Sequence, residues 1–591
     1  DLDGDLDMYL LNHMHQMTGM NNPVPRKLNG ESESTDKLYR NDGVGSLGHP
    51  TFIDVSQEAG ITIEGFGLGV GISDLNQDGY PDIYVSNDFI SNDILYINQG
   101  DGTFIDRTKA YLSHQSHNGM GNDIADINND GLTDILVLDM LPSDNRRRKL
   151  MLNKPNYNLF EFSKSLGYQP QYMRNTFQLN NGKHAPFSEV GQLMGISSTD
   201  WSWGGLMADY NGDGLKDMFI TTGYLKDMTD LDFIVYRRKQ FKFRTREEAD
   251  SIYLASINKL PEVPLQNYFY KNNGDLNFED TSLKWAPGSL GFSNGAVYAD
   301  LDNDGDLDIV TNNINGKASL LKNNSLQQED GKRAGLKLNF EGPQTNPNGI
   351  GAKVWAYADG NVQFLENHTT RGFQSSVAPS LYFAFQEHKR KDSLVVVWPD
   401  GKRKSYGNSV MDSIATLRYT DASETVLPKE DIEKGQIVTK VYGLLQFVHE
   451  EIPFSDFDIE PLIPQKFSTS GPSLAVADAN GDGLDDIFIG GSHGFPGQLH
   501  IQTMDGKFIA NTLGMVAEHE DVGSLWFDAD NDGDNDLYVV SGGSEFSLMK
   551  PGYYQDRLYI NDGQGNLSLS IDALPNMNTS GSCVVASDYD Q

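Results

Sequence analysis

An all-β fold of the β-propeller type is what this sequence predicts, and three features carry the prediction. A nine-residue acidic pattern recurs along the 591 residues, short strand-like runs flank each copy, and sixty glycines with a single cysteine, Cys583, imply many tight turns and no internal disulfide. "DLNQDGYPD" (74–82), "DINNDGLTD" (126–134), "DYNGDGLKD" (209–217), "DLDNDGDLD" (300–308), "DANGDGLDD" (478–486) and "DADNDGDND" (528–536) all read D-x-[DN]-x-D-G-x-x-D. Around the first of these, "GVGISD" (69–74) leads in, "IYVSN" (83–87) leads out, and "ILYIN" (94–98), the turn "QGDG" (99–102) and "TFID" (103–106) complete a meander of four short strands. Similar signals return at "NTFQLNNG" (175–182), "NYFYKNNGDLNFED" (267–280), "QLHIQTMDGKF" (498–508) and "RLYINDGQGNL" (557–567). Four-stranded units of this size suit propeller blades, because each is too small to bury its own faces.

Each position of the pattern has a physical task. Side-chain oxygens at positions one, three and five converge on one hard cation if the backbone turns sharply, and the glycine at position six permits that turn. These are Asp74, Asn76 and Asp78; Asp126, Asn128 and Asp130; Asp209, Asn211 and Asp213; Asp300, Asp302 and Asp304; Asp478, Asn480 and Asp482; Asp528, Asp530 and Asp532. Position seven offers a backbone carbonyl, which leaves its side chain to vary among Tyr80, Leu132, Leu215, Asp306, Leu484 and Asp534. The closing Asp82, Asp134, Asp217, Asp308, Asp486 and Asp536 complete the shell. An oxygen-only donor set favours Ca2+ over zinc, which would call for His or Cys. The EF-hand alternative needs a bidentate Glu at position twelve and flanking helices. Position twelve here is Val85, Val137, Ile220, Thr311, Ile489 or Val539, all strand formers.

Two partial copies flank the complete ones. In "DLDGDLDMYL" (1–10), Asp1, Asp3 and Asp7 fall at positions three, five and nine, Gly4 is the turn glycine, and Asp5 supplies the carbonyl. In "SDYDQ" (587–591), Asp588 and Asp590 fall at positions one and three. Both breaks read as an excerpt from a longer repeat protein, with a signal or anchor expected upstream of residue 1. The cofactor expectation is therefore Ca2+ in six complete and two partial loops.

The formal charge of -37 repels polyanions, which argues against nucleic acid and anionic lipid as partners and for cations. No apolar run reaches membrane-spanning length. Calcium modules that work outside cells have dissociation constants of about 10⁻⁴ to 10⁻³ M, so loops of this kind point to an extracellular or cell-surface location.

The repeated units resemble FG-GAP/VCBS repeats, the calcium-loop blades also found in integrin alpha-subunit propellers. Residues 335–401 resemble an ASPIC/UnbV domain, as in bacterial relatives of cartilage acidic protein, through "GIGAKVWAY" (349–357), "RGFQSS" (371–376) and "LVVVWPDGK" (394–402). "TDWSWGGLMADYNGDGLKDMFITTGYLKDMTDLDF" (199–233) is similar to a stretch of large bacterial members, which implies a bacterial outer envelope setting. "LYFAF" (381–385) departs from the glycine-rich Phe-Gly-Leu-Gly that the domain family usually has there. The expected organisation is a first propeller over 1–325, a small β-rich UnbV-like module over 326–421, a linker over 422–470, and the start of a second propeller over 471–591.

Catalytic signatures are sparse. Paired carboxylates invite a glycosidase reading, but nearly every close pair already has a role in a metal loop. His13 and His15 would share one face of a strand, and His114 and His117 sit in a loop-like "HQSHNG"; both sets read as structural or surface residues. The apolar "SCVVAS" (582–587) makes Cys583 read as a buried strand residue. Trp201, Trp203, Trp355, Trp398 and Trp526 could stack on sugars, though cores use tryptophan in the same way. Two insertions, 139–174 and 222–266, carry the basic runs "NRRRKL" (145–150) and "YRRKQFKFRTREEADSIYLASINKL" (236–260). Pairing with nearby carboxylates is the plain reading of these runs; the sharper one is a docking surface for an acidic glycan or a protein, with Arg237, Arg238, Lys242 and Arg244 in contact. The expectation is a non-enzymatic, calcium-stabilised surface or secreted protein that binds a glycan or protein ligand in adhesion or envelope assembly. The alternative is a polysaccharide-degrading lyase or hydrolase, or an accessory subunit of one.

Overall fold

The computed structural model describes residues 4–13, 23–45, 48–151, 157–183, 185–241, 245–288, 290–325, 333–386, 390–411, 413, 414–425, 440–463, 465–512, 518–545, 551–577 and 579–588. Two compact units form, Asp1–Glu430 and Asp431–Gln591. Strands appear where β-branched and aromatic residues cluster between the acidic turns. In the first unit, three sheets have four antiparallel strands each, and each is a simple meander. They comprise Gly67–Ser73, Asp82–Asn87, Ile94–Asn98 and Phe104–Asp106; Asn122–Ala125, Asp134–Val137, Thr176–Leu179 and Ser188–Glu189; Ser202–Ala208, Asp217–Thr222, Tyr268–Asn272 and Phe278–Asp280. Two three-stranded sheets flank them, Met8–Leu10 with Lys37–Val44 and Pro50–Asp54, and Ser293–Ala299 with Asp308–Asn313 and Ser319–Leu321.

Every complete acidic pattern joins the first strand of a sheet to the second, so the loops of the first unit lie at one end of their sheets. The first strands of the last four sheets, from Gly67–Ser73 to Ser293–Ala299, lie side by side, as inner strands of a propeller do. Apolar contact between sheets holds the blades together. Leu136 and Phe177 of one blade pack with Met207, Met218, Ile220 and Tyr270 of the next, all at most 5% exposed. Full burial of each such side chain contributes roughly 1.5–3 kcal/mol, which no blade could gain alone. The second unit repeats the design with Leu474–Ala477, Asp486–Ile489, Gln498–Gln502 and Phe508–Thr512, then Asp521–Phe527, Asp536–Ser541, Arg557–Ile560 and Ser568–Leu569. The fold is nearly all β, with propeller-like blades.

The described residues of 333–425 form two larger sheets and one short hairpin. One orders Leu381–Gln386, Arg333–Glu341 and Ile414–Arg418; the other orders Asn361–Glu366, Lys353–Ala358, Lys391–Val397, Lys402–Gly407 and Glu424–Thr425. Leu338, Val354, Phe383, Leu394, Val396 and Trp398 share their core. "LYFAF" is therefore strand rather than a glycine turn, and buries Leu381, Phe383 and Phe385.

Two expectations are corrected. Cys583 is exposed and belongs to no strand; the extended run around it lies against Gly523, but no neighbouring strand pairs with it among the described residues. His13 follows the strand Met8–Leu10 instead of lying in one, and packs against Phe66 and Phe89; His15 lies outside the described residues. The insertions form helices, Asn145–Leu150 and Tyr157–Ser165 in the first, and Leu231–Phe241 and Arg246–Lys259 in the second.

Candidate metal centres

The loops owe their shape to two left-handed residues. The position-six glycines Gly79, Gly131, Gly214, Gly305, Gly483 and Gly533 have φ of +97°, +86°, +94°, +96°, +85° and +97°, and Gly4 of the opening stretch has +102°. Position four is left-handed as well, at Gln77 (+58°), Asn129 (+59°), Gly212 (+70°), Asn303 (+60°), Gly481 (+73°) and Asn531 (+64°). Sequence reasoning missed this second kink. Its signal was the Asn or Gly found there in five of six copies, the residues that tolerate positive φ. Replacing Gln77 by Gly is expected to leave stability unchanged or raise it, whereas Gln77→Val should cost about 1–2 kcal/mol in thermal denaturation.

With both kinks in place, the loop's own amides gather the carboxylates. In the 74–82 loop, Asp78 N and Gly79 N donate to Asp74 Oδ1 and Oδ2 at 3.0 and 3.1 Å, and Tyr80 N donates to Asp78 Oδ1 at 2.9 Å. The same bonds to position one recur at Asp126, Asp209, Asp478 and Asp528. The carboxylates are thus preset around one point, each oxygen keeping a lone pair for a cation. Carboxylate oxygens of Asp300, Asp302 and Asp304 lie within 4.8 Å of one another, as do those of Asp528, Asp530 and Asp536, so both groups are acidic clusters that could hold a metal ion. Asp300 Oδ1 and Asp534 Oδ1 are buried and accept no hydrogen bond among the described residues. A hard cation supplies what such orphaned oxygens lack, so the donor set fits calcium. The other four complete loops carry Asn at position three, and the amides of Asn76, Asn128 and Asn480 donate to the position-five carboxylate at 2.8, 2.9 and 3.0 Å.

The strain of gathering acids shows in their protonation. Burial, with the charges of Asp74 and Asp78, pushes Asp82 up to about 8, against the pull of hydrogen bonds from Asn98 and Leu75. Burial and then Asp213 push Asp209 up to about 7. A bound dication reverses the sign of those repulsions. Lysines already offset part of them. Lys353 Nζ lies 2.6 Å from Asp74 Oδ2, Lys322 pairs with Asp302, and the buried Lys216 faces Asp126, Asp134 and Asp209.

The closing aspartate has a second task that the pattern did not disclose. In every complete loop one oxygen accepts from the amide of position two and the other from an amide at the end of the third strand. The donor pairs are Leu75 and Asn98 on Asp82, Ile127 and Asn180 on Asp134, Tyr210 and Asn272 on Asp217, Leu301 and Asn323 on Asp308, Ala479 and Gln502 on Asp486, and Ala529 and Asn561 on Asp536. Asp7 receives Asn41 N in the same way at 2.8 Å. The third-strand asparagine then reaches back to the preceding blade. Asn180 Nδ2 donates to Leu75 O, Asn272 to Ile127 O, Asn323 to Tyr210 O and Asn561 to Ala479 O, in each case the position-two carbonyl of the loop before. The recurrent Asn in "LNNG", "KNNG" and "INDG" was its trace in the sequence. Asn180→Ala strands the buried carbonyls of Leu75 and Thr133, so a loss of about 2–3 kcal/mol is expected in chemical denaturation.

Among the remaining candidates, Asp1, Asp3, Asp590, Lys242 and Arg244 lie outside the described residues, and Asp588 is exposed. Arg147 of the first basic run grips two carboxylates, Asp200 at 2.7 Å and Asp227 at 2.8 Å, and Arg237 lies 5.2 Å over the Tyr253 ring, so both serve internal pairing. His114 pairs with Glu189 at 3.0 Å, and His117 bonds Asn118. Trp398 is core, Trp355 packs on Phe364, and Trp201 stacks on Tyr224 with ring centroids 4.1 Å apart.

The axis between the inner strands is filled. The hairpin of Thr370–Arg371 and Ser375–Ser376 enters from the loop end and runs along Gly67–Ser73, Asn122–Ala125, Ser202–Ala208 and Ser293–Ala299. His368 Nε2 bonds Ile124 O at 3.2 Å, and Gly372 forms a β-bridge with Asn122. Phe373 packs on Trp203 at 4.9 Å. Between them Arg371 forms a bidentate pair with Asp123 and donates to Met207 O and Tyr298 OH, both at 3.0 Å.

The blades joined through acidic turns carry FG-GAP-like repeats, and the two-sheet module whose hairpin enters their axis carries an ASPIC and UnbV domain. The FG-GAP-like repeat model matches residues 74–137 and 252–311, and the ASPIC and UnbV model matches 342–424. Among characterised proteins the chain is similar to cartilage acidic protein 1 of Xenopus tropicalis, 24% identical over 398 residues, covering 65% of this chain and 50% of that protein. It is likewise similar to human cartilage acidic protein 1, 22% identical over 392 residues, covering 65% of this chain and 49% of that protein. The chain thus spans about half the length of the curated relatives it matches. A solved structure of an Agrocybe aegerita lectin, described as recognising non-reducing terminal N-acetylglucosamine, aligns over 93% of this chain and 90% of its own, with 12% identity and a TM-score of 0.23. No helix among the described residues is long and apolar enough to cross a membrane.

Proposed function

We propose that this chain is a calcium-binding, non-enzymatic repeat protein of the cell surface or the secreted fraction, which presents its blades for adhesion or for binding a glycan or protein. The observation that carries the reading is the shared loop architecture: two left-handed residues shape all six complete loops, and in five of them amides of the loop hold the position-one carboxylate among the other oxygen donors. Asp74, Asn76, Asp78 and Asp82 would hold one ion, and the matching residues of 126–134, 209–217, 300–308, 478–486 and 528–536 the others. Similarity to cartilage acidic protein 1 and the acidity of the chain support an extracellular or surface location. Because the hairpin at 370–376 fills the axis, ligand contact belongs on the insertions and blade-edge loops.

Calorimetric titration of metal-stripped protein with calcium tests the metal reading: about six sites in the 10⁻⁴ to 10⁻³ M range are expected, and no heat at millimolar calcium would sink it. A glycan array, run with a product assay on the same polysaccharides, tests the rest. Binding without cleavage agrees with the proposal, whereas new reducing or unsaturated ends would replace it with an enzyme.

A further inference from the structure

The ASPIC and UnbV domain meets the five loops of the first unit one by one. Thr345 Oγ1 donates to Gly4 O in the opening loop. At the 74–82 loop, Lys353 Nζ sits 2.6 Å from Asp74 Oδ2, and Glu366 accepts from Ser73 Oγ at 2.5 Å. A side chain on Gly131 would come within 3.9 Å of Trp355 Nε1, and one on Gly214 within 3.1 Å of Gln363 Nε2. Gly335 has room for no side chain, because a Cβ there would fall 2.4 Å from Gly305 O. Four of these five contacts fall on the position-six glycine, the residue whose left-handed turn shapes the loop. The hairpin at 370–376 then continues from this face into the axis.

This placement has an electrostatic consequence. A domain seated here covers carboxylates that repel one another, and it adds Glu366, half-buried beside Lys353 and Asp74. Lys353 brings one positive charge to a platform of loops that carry three to five acids each. Desolvating the platform is costly while the loops lack counter-charge and becomes favourable once they hold dications.

We propose that the ASPIC and UnbV domain is a cap whose seating on the loop face and whose axial hairpin are coupled to calcium occupancy of the loops beneath it. This rests on the calcium reading above and adds a direction to it. Cation binding favours the seated cap, and by reciprocity the seated cap raises cation affinity. Lys353, with Arg371 on the axial hairpin, is a fixed charge that keeps the cap in place when calcium is scarce.

Hydrogen exchange of the full chain, read by mass spectrometry with bound calcium assayed on the same samples, tests the coupling. In excess chelator, amides of 366–376 should exchange at least about tenfold faster while the buried strands Asp134–Val137 and Asp217–Thr222 keep their protection. Lys353→Met should speed exchange of 366–376 in chelator about fivefold further, the upper end for a partly exposed ion pair, and leave it unchanged at saturating calcium, with blade strands unaffected. Calcium that binds and is removed with no change at 366–376 would overturn the coupling and leave the calcium reading standing. Loss of protection at 366–376 only together with the blade strands would also overturn it. Protein that holds no calcium before chelation overturns both.

Discussion

Excess chelator is expected to lower the melting temperature of the calcium-loaded protein by roughly 2–7 °C. The four complete loops of the first unit each join the first two strands of a blade, and each ion bound only by the folded form adds to stability through mass action. At millimolar calcium and dissociation constants typical of extracellular modules, each contributes about 0.4–1.4 kcal/mol. Spread over a cooperative unit of several hundred residues, that sum moves the midpoint by degrees rather than tens of degrees. Among the loop acids, Asp82 and Asp209 are held above the usual carboxylate range by burial and the charges of neighbouring carboxylates. A scanning calorimetry trace unchanged by chelator, on protein shown to carry metal beforehand, would refute the structural role of the ions.

Breaking the axial ion pair should produce the largest effect of any single substitution. Asp123 is 2% exposed and Arg371 7%, and each is the principal charge partner of the other. Arg371→Met leaves a buried carboxylate with the amide of Met207 as its remaining donor, and Asp123→Leu leaves a buried guanidinium. Either should cost about 3–5 kcal/mol, while the double variant recovers much of the loss because neither charge is then stranded. Urea denaturation of the four proteins completes the cycle. Additive single effects, with no recovery in the double variant, would mean that the pair is not what fastens hairpin to blades.

Much of the blade architecture was legible in the sequence, for a physical reason: a strand–turn–strand unit that repeats leaves the same chemistry at the same spacing each time. The meander at 69–106 reads almost residue for residue as four strands, and position twelve is strand in every copy, from Val85 to Val539. The site was less legible. Local spacing announces which oxygens converge, but the second partner of Asp134 is Asn180, and that partner lies across an insertion whose length no pattern predicts. Arg371 stood out only as part of "RGFQSS"; its carboxylate is 248 residues away on an inner strand, and a contact at that range leaves no periodic trace. Cys583 shows the converse error. An apolar run promises burial only if something covers it, and hydrophobicity alone does not say what does.

The asparagine that links one blade to the loop before it makes the repeat directional. Asn180, Asn272, Asn323 and Asn561 each finish a turn that belongs to the preceding blade, so neighbouring modules overlap like roof tiles. The portable unit of this architecture is accordingly not the four strands of one sheet. It is an acidic turn together with the asparagine that arrives with the next sheet, and a graft or excision that respects sheet borders cuts every such unit in two.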